Sequence, residues 1–176
     1  EDKDLRGTRK GRAITVFVDQ KKFAASVHGS LSCVTCHADL DGKEMPHAED
    51  LAPAICGTCH EEVAAQQAAS LHGKAAQRGD PFAPRCPDCH GSHGILSTKH
   101  PRSPVAPMQI PYLCGKCHKE GSPVQQQRAI HADHILETYS ESIHGEGLLR
   151  KGLVVSATCA SCHTAHAMLP HTDPSS

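Results

Sequence analysis

The length and composition of this chain exclude a conventional apolar core. It has 176 residues, a formal charge of −1, no tryptophan and 3% aromatic residues, with 14 glycines and 12 prolines. A chain of this length normally folds around aliphatic and aromatic side chains, so we expect something else to supply the interior. The near-neutral charge and the lack of a strong basic patch argue against a nucleic-acid partner.

Residues 1–22 are predicted to form an N-terminal arm. The first twelve residues are rich in charge and are expected to be a solvated tail. The strand signal lies at 13–19, where Ile14, Val16 and Val18 alternate onto one face. This segment could be an extended arm that packs on a haem or on a neighbouring subunit, or a short strand that packs on its own domain.

All ten cysteines fall into five C-x-x-C-H motifs. The motifs are Cys33, Cys36 and His37; Cys56, Cys59 and His60; Cys86, Cys89 and His90; Cys114, Cys117 and His118; and Cys159, Cys162 and His163. C-x-x-C-H is the attachment signature of a c-type haem, whose iron takes the histidine as its proximal ligand. A zinc half-site, a redox dithiol or a disulfide would compete for a single C-x-x-C pair. Because a histidine follows every pair, we expect five covalently bound haems c.

Six further histidines are candidates for the second axial position of the irons. They are His28, His72 and His144 in S-x-H-G motifs, His93 and His166 three residues after a motif histidine, and His47 at the equivalent place in the first unit. The S-x-H-G glycine is expected to let the backbone pass close to a porphyrin face. The two H-x-x-H histidines are expected to share a helical turn with their own motif and therefore to serve another haem.

Six candidates for five irons leave one histidine over. The surplus is expected in the third unit, where one histidine is unligated or binds a haem of a neighbouring chain. The remaining histidines, His100, His131, His134 and His171, are interpreted as surface residues, although His131 and His134 could form a weak metal pair.

The motifs recur as an internal repeat over residues 23–176, which we interpret as one pentahaem domain. Its units cover about 26–60, 61–118 and 119–176, and the last is incomplete. Residues 86–103 align with 159–176 without a gap. The protein either lost the last half-unit or continues beyond the given sequence.

The predicted fold is mostly irregular with short α-helices and little β-structure, wrapped around a chain of haems. Helices are expected over 61–69 and within 124–142. Proline-rich residues 79–84 and 101–111 are expected to be extended connections.

With these motifs in place, residues 20–176 resemble the multihaem cytochromes c of bacterial respiratory chains. They are similar to the secreted c-type domains of cytochrome b/c quinol-oxidising proteins. The resemblance implies bis-histidine haems in a close chain, with redox partner proteins that include a membrane quinol-oxidising subunit.

The expected function is electron transfer between a respiratory donor and a downstream acceptor, without enzymatic activity. One alternative is a subunit of a polymeric extracellular filament, as a homo-oligomer, or of a membrane electron-transfer complex. The other is a reductase of a small oxyanion or nitrogen compound with one open haem. Covalent haem attachment predicts a periplasmic or extracellular location after removal of a signal peptide, and no apolar run is long enough to span a membrane.

Overall fold

The computed structural model describes residues 3–4, 6–9, 12–43, 52–128, 134–170 and 172–175. Two strands are present in these residues, β1 (Arg6–Arg9) and β2 (Arg12–Thr15). The α-helices are α1 (Gln20–Ala24), α2 (Cys33–Cys36), α3 (Glu61–Ala69), α4 (Leu71–Gln77), α5 (Cys86–His90), α6 (Ile110–Gly115), α7 (Pro123–Gln127), α8 (Ile135–Glu141), α9 (Ile143–Gly145) and α10 (Cys159–His163). Short 3₁₀ or π turns cover Ala38–Leu40, Cys56–Thr58, Pro107–Gln109 and Glu146–Arg150. The expected mixture of short helices and irregular connections with little β-structure is confirmed.

The two strands pair as an antiparallel hairpin in which Arg6 lies opposite Thr15. The strand expected over 13–19 therefore ends early, at Thr15. Residues 6–9, expected to be part of the solvated tail, form its partner. The sequence pattern misses β1 because Thr8 is its one β-branched residue, so pairing with β2 rather than local preference sets this strand.

The helix expected over 61–69 is confirmed as α3, but two other segments differ from expectation. Residues 101–111 include a 3₁₀ turn and the start of α6, because Pro107 and Pro111 stand in first-turn positions where a missing N–H costs little. The helix expected within 124–142 is two helices, α7 and α8, with His134 in the left-handed region at φ 56° just before α8.

Few apolar side chains are buried. Among the described residues, the buried apolar side chains are those of Ala106, Pro111 and Leu148, whereas Ile55 is 75% exposed and Ile143 81%. Burial of apolar surface is the main favourable term in folding. The described polypeptide by itself therefore lacks a sizeable core, as its composition predicts.

The second and third S-x-H-G motifs form the corners between consecutive short helices. Ser70 ends α3 and caps α4: its Oγ donates to the Gln67 carbonyl at 2.6 Å and accepts from the Gly73 N–H at 3.1 Å. Ser142 makes the same two bonds at the corner between α8 and α9, at 2.7 and 3.1 Å. The serine therefore satisfies backbone groups at the end of one helix and at the start of the next.

The glycine of the motif is required by the same corner. A Cβ at Gly73 would overlap the Gln67 carbonyl oxygen, and a Cβ at Gly145 would overlap that of Tyr139. The close approach seen at these glycines is to the end of the preceding helix, and the approach of a porphyrin face stays a prediction.

Backbone hydrogen bonds join consecutive repeat units. The N–H of Val27, the second residue of the first S-x-H-G motif, donates to the Ile95 carbonyl at 2.9 Å. The N–H of Leu71, at the same place in the second motif, donates to the Met168 carbonyl at 2.9 Å. Both acceptors stand two residues after an H-x-x-H histidine, so the same contact recurs between units one and two and between units two and three.

No helix within the described residues is long and apolar enough to cross a membrane.

Gly73→Ala should destabilise the corner between α3 and α4, because overpacking typically costs about 1–3 kcal/mol. The matched control is Gly94→Ala, where a Cβ would meet the Lys22 Cβ at an ordinary 3.7 Å. Thermal unfolding of both purified variants would check this. Equal stabilities would contradict the role given to the S-x-H-G glycine.

Candidate haem-binding site

Each C-x-x-C-H motif lies in or at the end of a helical turn. The turns are α2, the 3₁₀ turn Cys56–Thr58, α5, the end of α6 and α10. In three motifs the histidine N–H donates to the first cysteine's carbonyl: His37 to Cys33 at 2.9 Å, His60 to Cys56 at 3.0 Å and His118 to Cys114 at 3.0 Å. Residues i, i+3 and i+4 of a helical turn share one face, so each motif presents two sulfurs and an imidazole together.

The five motifs surround one cavity of about 2910 Å³. Its lining includes all ten cysteines and the histidines His28, His37, His60, His72, His90, His93, His118, His144, His163 and His166. His100 and His134, interpreted as surface residues, are not in this lining. Because a pocket for one small ligand is about 300–1,000 Å³, this cavity has room for several large ligands. His47, His131 and His171 lie outside the described residues.

The cavity walls are largely apolar. The predicted face of the N-terminal strand, Ile14, Val16 and Val18, lines it together with Val27 and Val63. Val16, Val27 and Val63 are among the large apolar side chains that the polypeptide leaves exposed. The side chains that would normally make a core therefore surround this cavity, and the hairpin contributes to its wall.

Four of the motif histidines are each faced by one of the six candidate histidines. The ring centroids are 6.0 Å apart for His28–His60, 6.1 Å for His93–His37, 6.0 Å for His72–His118 and 5.9 Å for His166–His90. Two imidazoles that bind one metal from opposite sides, with bonds of about 2 Å, have ring centres roughly 6 Å apart. The spacing of all four pairs fits an iron bound between them.

The pairs follow a rule set by the repeat. The S-x-H-G histidine faces the second motif of its own unit, as His28 faces His60. The H-x-x-H histidine faces the first motif of the preceding unit, as His93 faces His37. The other two pairs obey the same rule one unit later.

The H-x-x-H histidines do not share a helical turn with their own motif, so that part of the interpretation is wrong. Helices α5 and α10 end at His90 and His163. The next residues, Gly91 at φ 76° and Thr164 at φ 60°, turn the chain away. A positive φ is unusual for threonine, so this turn is imposed by its surroundings. It carries the second histidine towards the motif of another unit.

Burial lowers the pKa of four of the paired imidazoles. These are His72, His90, His93 and His118, and a second imidazole nearby lowers the pKa of each further. A neutral imidazole keeps the lone pair that metal binding requires. The lowered pKa therefore favours, in these four rings, the protonation state that a metal ligand needs.

One buried polar atom in the first motif lacks a partner. Nδ1 of His37 is buried without a hydrogen bond to any described residue. A 180° flip of the ring exchanges Nδ1 with Cδ2 and Nε2 with Cε1, so which ring position carries each nitrogen is an assignment. A nitrogen that binds a metal needs no hydrogen bond, and the facing His93 ring is on the other side of such a metal.

Cysteines of consecutive motifs lie close enough to interact with each other. The interacting pairs are Cys36–Cys56, Cys56–Cys86, Cys89–Cys117 and Cys114–Cys159. A hydrogen bond from Cys114 lowers the pKa of the Cys159 thiol to about 7. The five motifs therefore follow one another along the cavity in sequence order.

Sequence reasoning missed the residues that position the paired histidines. They are the capping serines Ser70 and Ser142 and the backbone contacts that join the units. Their signal was present in the repeat, because every S-x-H-G motif keeps its serine and an aliphatic second residue.

The described residues contain no group of three or more His, Cys, Asp or Glu side chains arranged to hold a metal ion by themselves. A haem iron takes four nitrogens from its porphyrin and two axial ligands from the protein, which is what a facing pair supplies. No protein-family model, curated protein or solved structure matches this chain, so its function has to be inferred from its own cysteines and histidines.

Proposed function

We propose that this chain is an electron-transfer protein that carries five covalently bound haems c, one on each C-x-x-C-H motif. The observation that supports this most directly is the set of four facing imidazole pairs, at 5.9–6.1 Å between ring centroids. Each pair joins a motif histidine to a histidine of the S-x-H-G or H-x-x-H class. Haem attachment gives a single chemical reason for the cysteines, for both classes of histidine and for the apolar cavity.

When bound, a c-type haem supplies one-electron transfer at its iron. The paired imidazoles would occupy both axial positions of four irons and leave no place there for a substrate. The apolar walls would exclude water, and hydrogen bonds and burial around axial imidazoles are the means by which a protein tunes a haem potential. The order of the motifs along one cavity supports a path from the first haem to the fifth.

The proposed location is the periplasm or the cell exterior, because covalent haem attachment takes place outside the cytoplasm. The proposed partners are redox proteins: a respiratory donor, such as a membrane quinol-oxidising subunit or a periplasmic carrier, and a downstream acceptor. Membership of an extracellular filament or a membrane electron-transfer complex is compatible with the same chemistry.

Reductive titration tests the function itself. The haem-loaded chain should take up five electrons, one for each motif, and should pass them on to an external acceptor protein. It should not turn over nitrite or tetrathionate when a reduced donor is supplied. Steady reduction of either compound would instead support a multihaem reductase.

The pairing of His28 with the second motif can be tested by combining substitutions. His28→Ala should add one high-spin iron relative to the parent, counted by EPR and visible spectra. In a chain whose second motif lacks its cysteines (Cys56→Ala, Cys59→Ala), the same change should add none, because the haem that His28 serves is absent.

The matched control removes the third motif instead (Cys86→Ala, Cys89→Ala). The haem that is absent from this background is the one served by His166, so His28→Ala should still add one high-spin iron. The reverse pattern in the two backgrounds would show that the facing rings do not share an iron.

Haem removal should abolish cooperative folding. The described polypeptide buries little apolar surface of its own, so the chain produced without haem attachment should unfold without a sharp transition. Circular dichroism during heating, compared between the haem-free and haem-loaded chains, measures this. A haem-free chain with a cooperative transition like that of the loaded protein would contradict the role of haem as core.

A further inference from the structure

The motif histidine of the fifth haem site differs from the other four. Within the described residues, His163 has no imidazole facing it at about the 6 Å seen in the four pairs. It lines the same cavity, and it interacts electrostatically with His118, which belongs to the adjacent motif and already faces His72.

The repeat rule states where the missing ligand belongs. His163 is in the first motif of unit three, and His37 and His90 hold the same place in units one and two. Each of those is faced by the H-x-x-H histidine of the following unit, His93 or His166. By the same rule, the partner expected for His163 is the H-x-x-H histidine of a unit that follows unit three in the repeat order.

His144 has the complementary requirement. The other S-x-H-G histidines, His28 and His72, face the second motif of their own unit. The sequence between Cys162 and Ser176 contains no second motif for unit three. Among the described residues His144 meets no facing imidazole, and both His144 and His163 are exposed.

A backbone contact points to the same missing unit. At the junction of units one and two, a single short segment makes both contacts: His93 faces His37, and two residues later Ile95 accepts from the Val27 N–H. The junction of units two and three repeats both contacts: His166–His90 and Met168–Leu71.

In unit three, within the described residues, the His163 ring and the Ile143 N–H both lack contact with such a segment. The residue equivalent to Val27 and Leu71 is Ile143, and its N–H meets no such carbonyl within the part of the chain that the structure describes. Its side chain is 81% exposed, against 54% for Val27 and 47% for Leu71. Two independent contacts, one through a ring and one through the backbone, are thus missing from the same corner.

We propose that the corner formed by Ile143, His144 and His163 binds a further unit of the same repeat, one that carries an H-x-x-H histidine. Its H-x-x-H histidine completes the iron on His163, and the backbone carbonyl two residues later accepts from the Ile143 N–H. His144 pairs with the histidine of a C-x-x-C-H motif that stands at the place of the second motif of unit three. The inference rests on the proposed haems, since it concerns the ligand of one of them.

Counting high-spin irons in the haem-loaded 176-residue chain tests the inference. The parent should have one high-spin iron in five. His144→Ala should leave that number at one, because His144 serves none of the five irons. The matched variant His72→Ala, at the same place in unit two, should raise it to two.

The alternative arrangement gives opposite counts. Five low-spin irons in the parent, with one high-spin iron appearing in His144→Ala, would show that His144 binds the iron on His163 and would overturn the inference. Electron transfer through five haems would survive that result, whereas a chain without covalent haem would overturn the proposed function as well.

A peptide probe tests the docking contact. The probe is a synthetic peptide with the sequence of residues 163–170 and the change His163→Ala, so that His166 is its single imidazole. This peptide should convert the high-spin iron to low spin. It should do so at a lower concentration than free imidazole, because it also offers the carbonyl for Ile143. The same peptide with His166→Ala should have no effect.

Two results would contradict the docking contact. The first is a peptide that acts no better than free imidazole at equal concentration. The second is a high-spin iron that ignores the peptide but binds and reduces nitrite, which would mark it as an open catalytic site.

Discussion

The interaction on which this molecule depends is the pairing of two imidazoles across one metal-sized gap. Each pair closes a loop between distant parts of the chain, as between residues 37 and 93 or between 90 and 166. In ordinary domains, apolar burial offsets the conformational entropy lost when such loops close, and this polypeptide largely lacks that burial. Coordination and covalent attachment would do here what a core or disulfides do elsewhere.

The repeat places each pair with short-range devices. A serine caps the helix that carries the S-x-H-G histidine, and a glycine allows that helix to turn sharply against the one before it. A left-handed residue after the motif histidine, Gly91 or Thr164, sends the H-x-x-H histidine towards the preceding unit. Local turn chemistry thus determines which histidine pairs join one repeat unit to the next.

The sequence indicated which cysteines and histidines line the cavity more fully than how they are arranged there. Exact spacing of cysteines and histidines indicated the five motifs and the candidate axial histidines, because these patterns are local. It did not predict that His28 faces His60, since that contact depends on how separate units pack. The hairpin partner of β2 was missed for the same reason, because Arg6–Arg9 has little strand preference without its neighbour. The prediction that His166 shares a helical turn with its own motif was wrong because the residue type of Thr164 does not indicate a positive φ.

The central claim is that every C-x-x-C-H motif carries a covalently attached haem, and intact mass spectrometry of the denatured protein tests it most directly. The mass should exceed that of the bare 176-residue chain by five haem groups, and the denatured protein should keep its haem absorbance. A chain with the mass of the bare polypeptide, with zinc bound or with its cysteines paired as disulfides, would contradict the account.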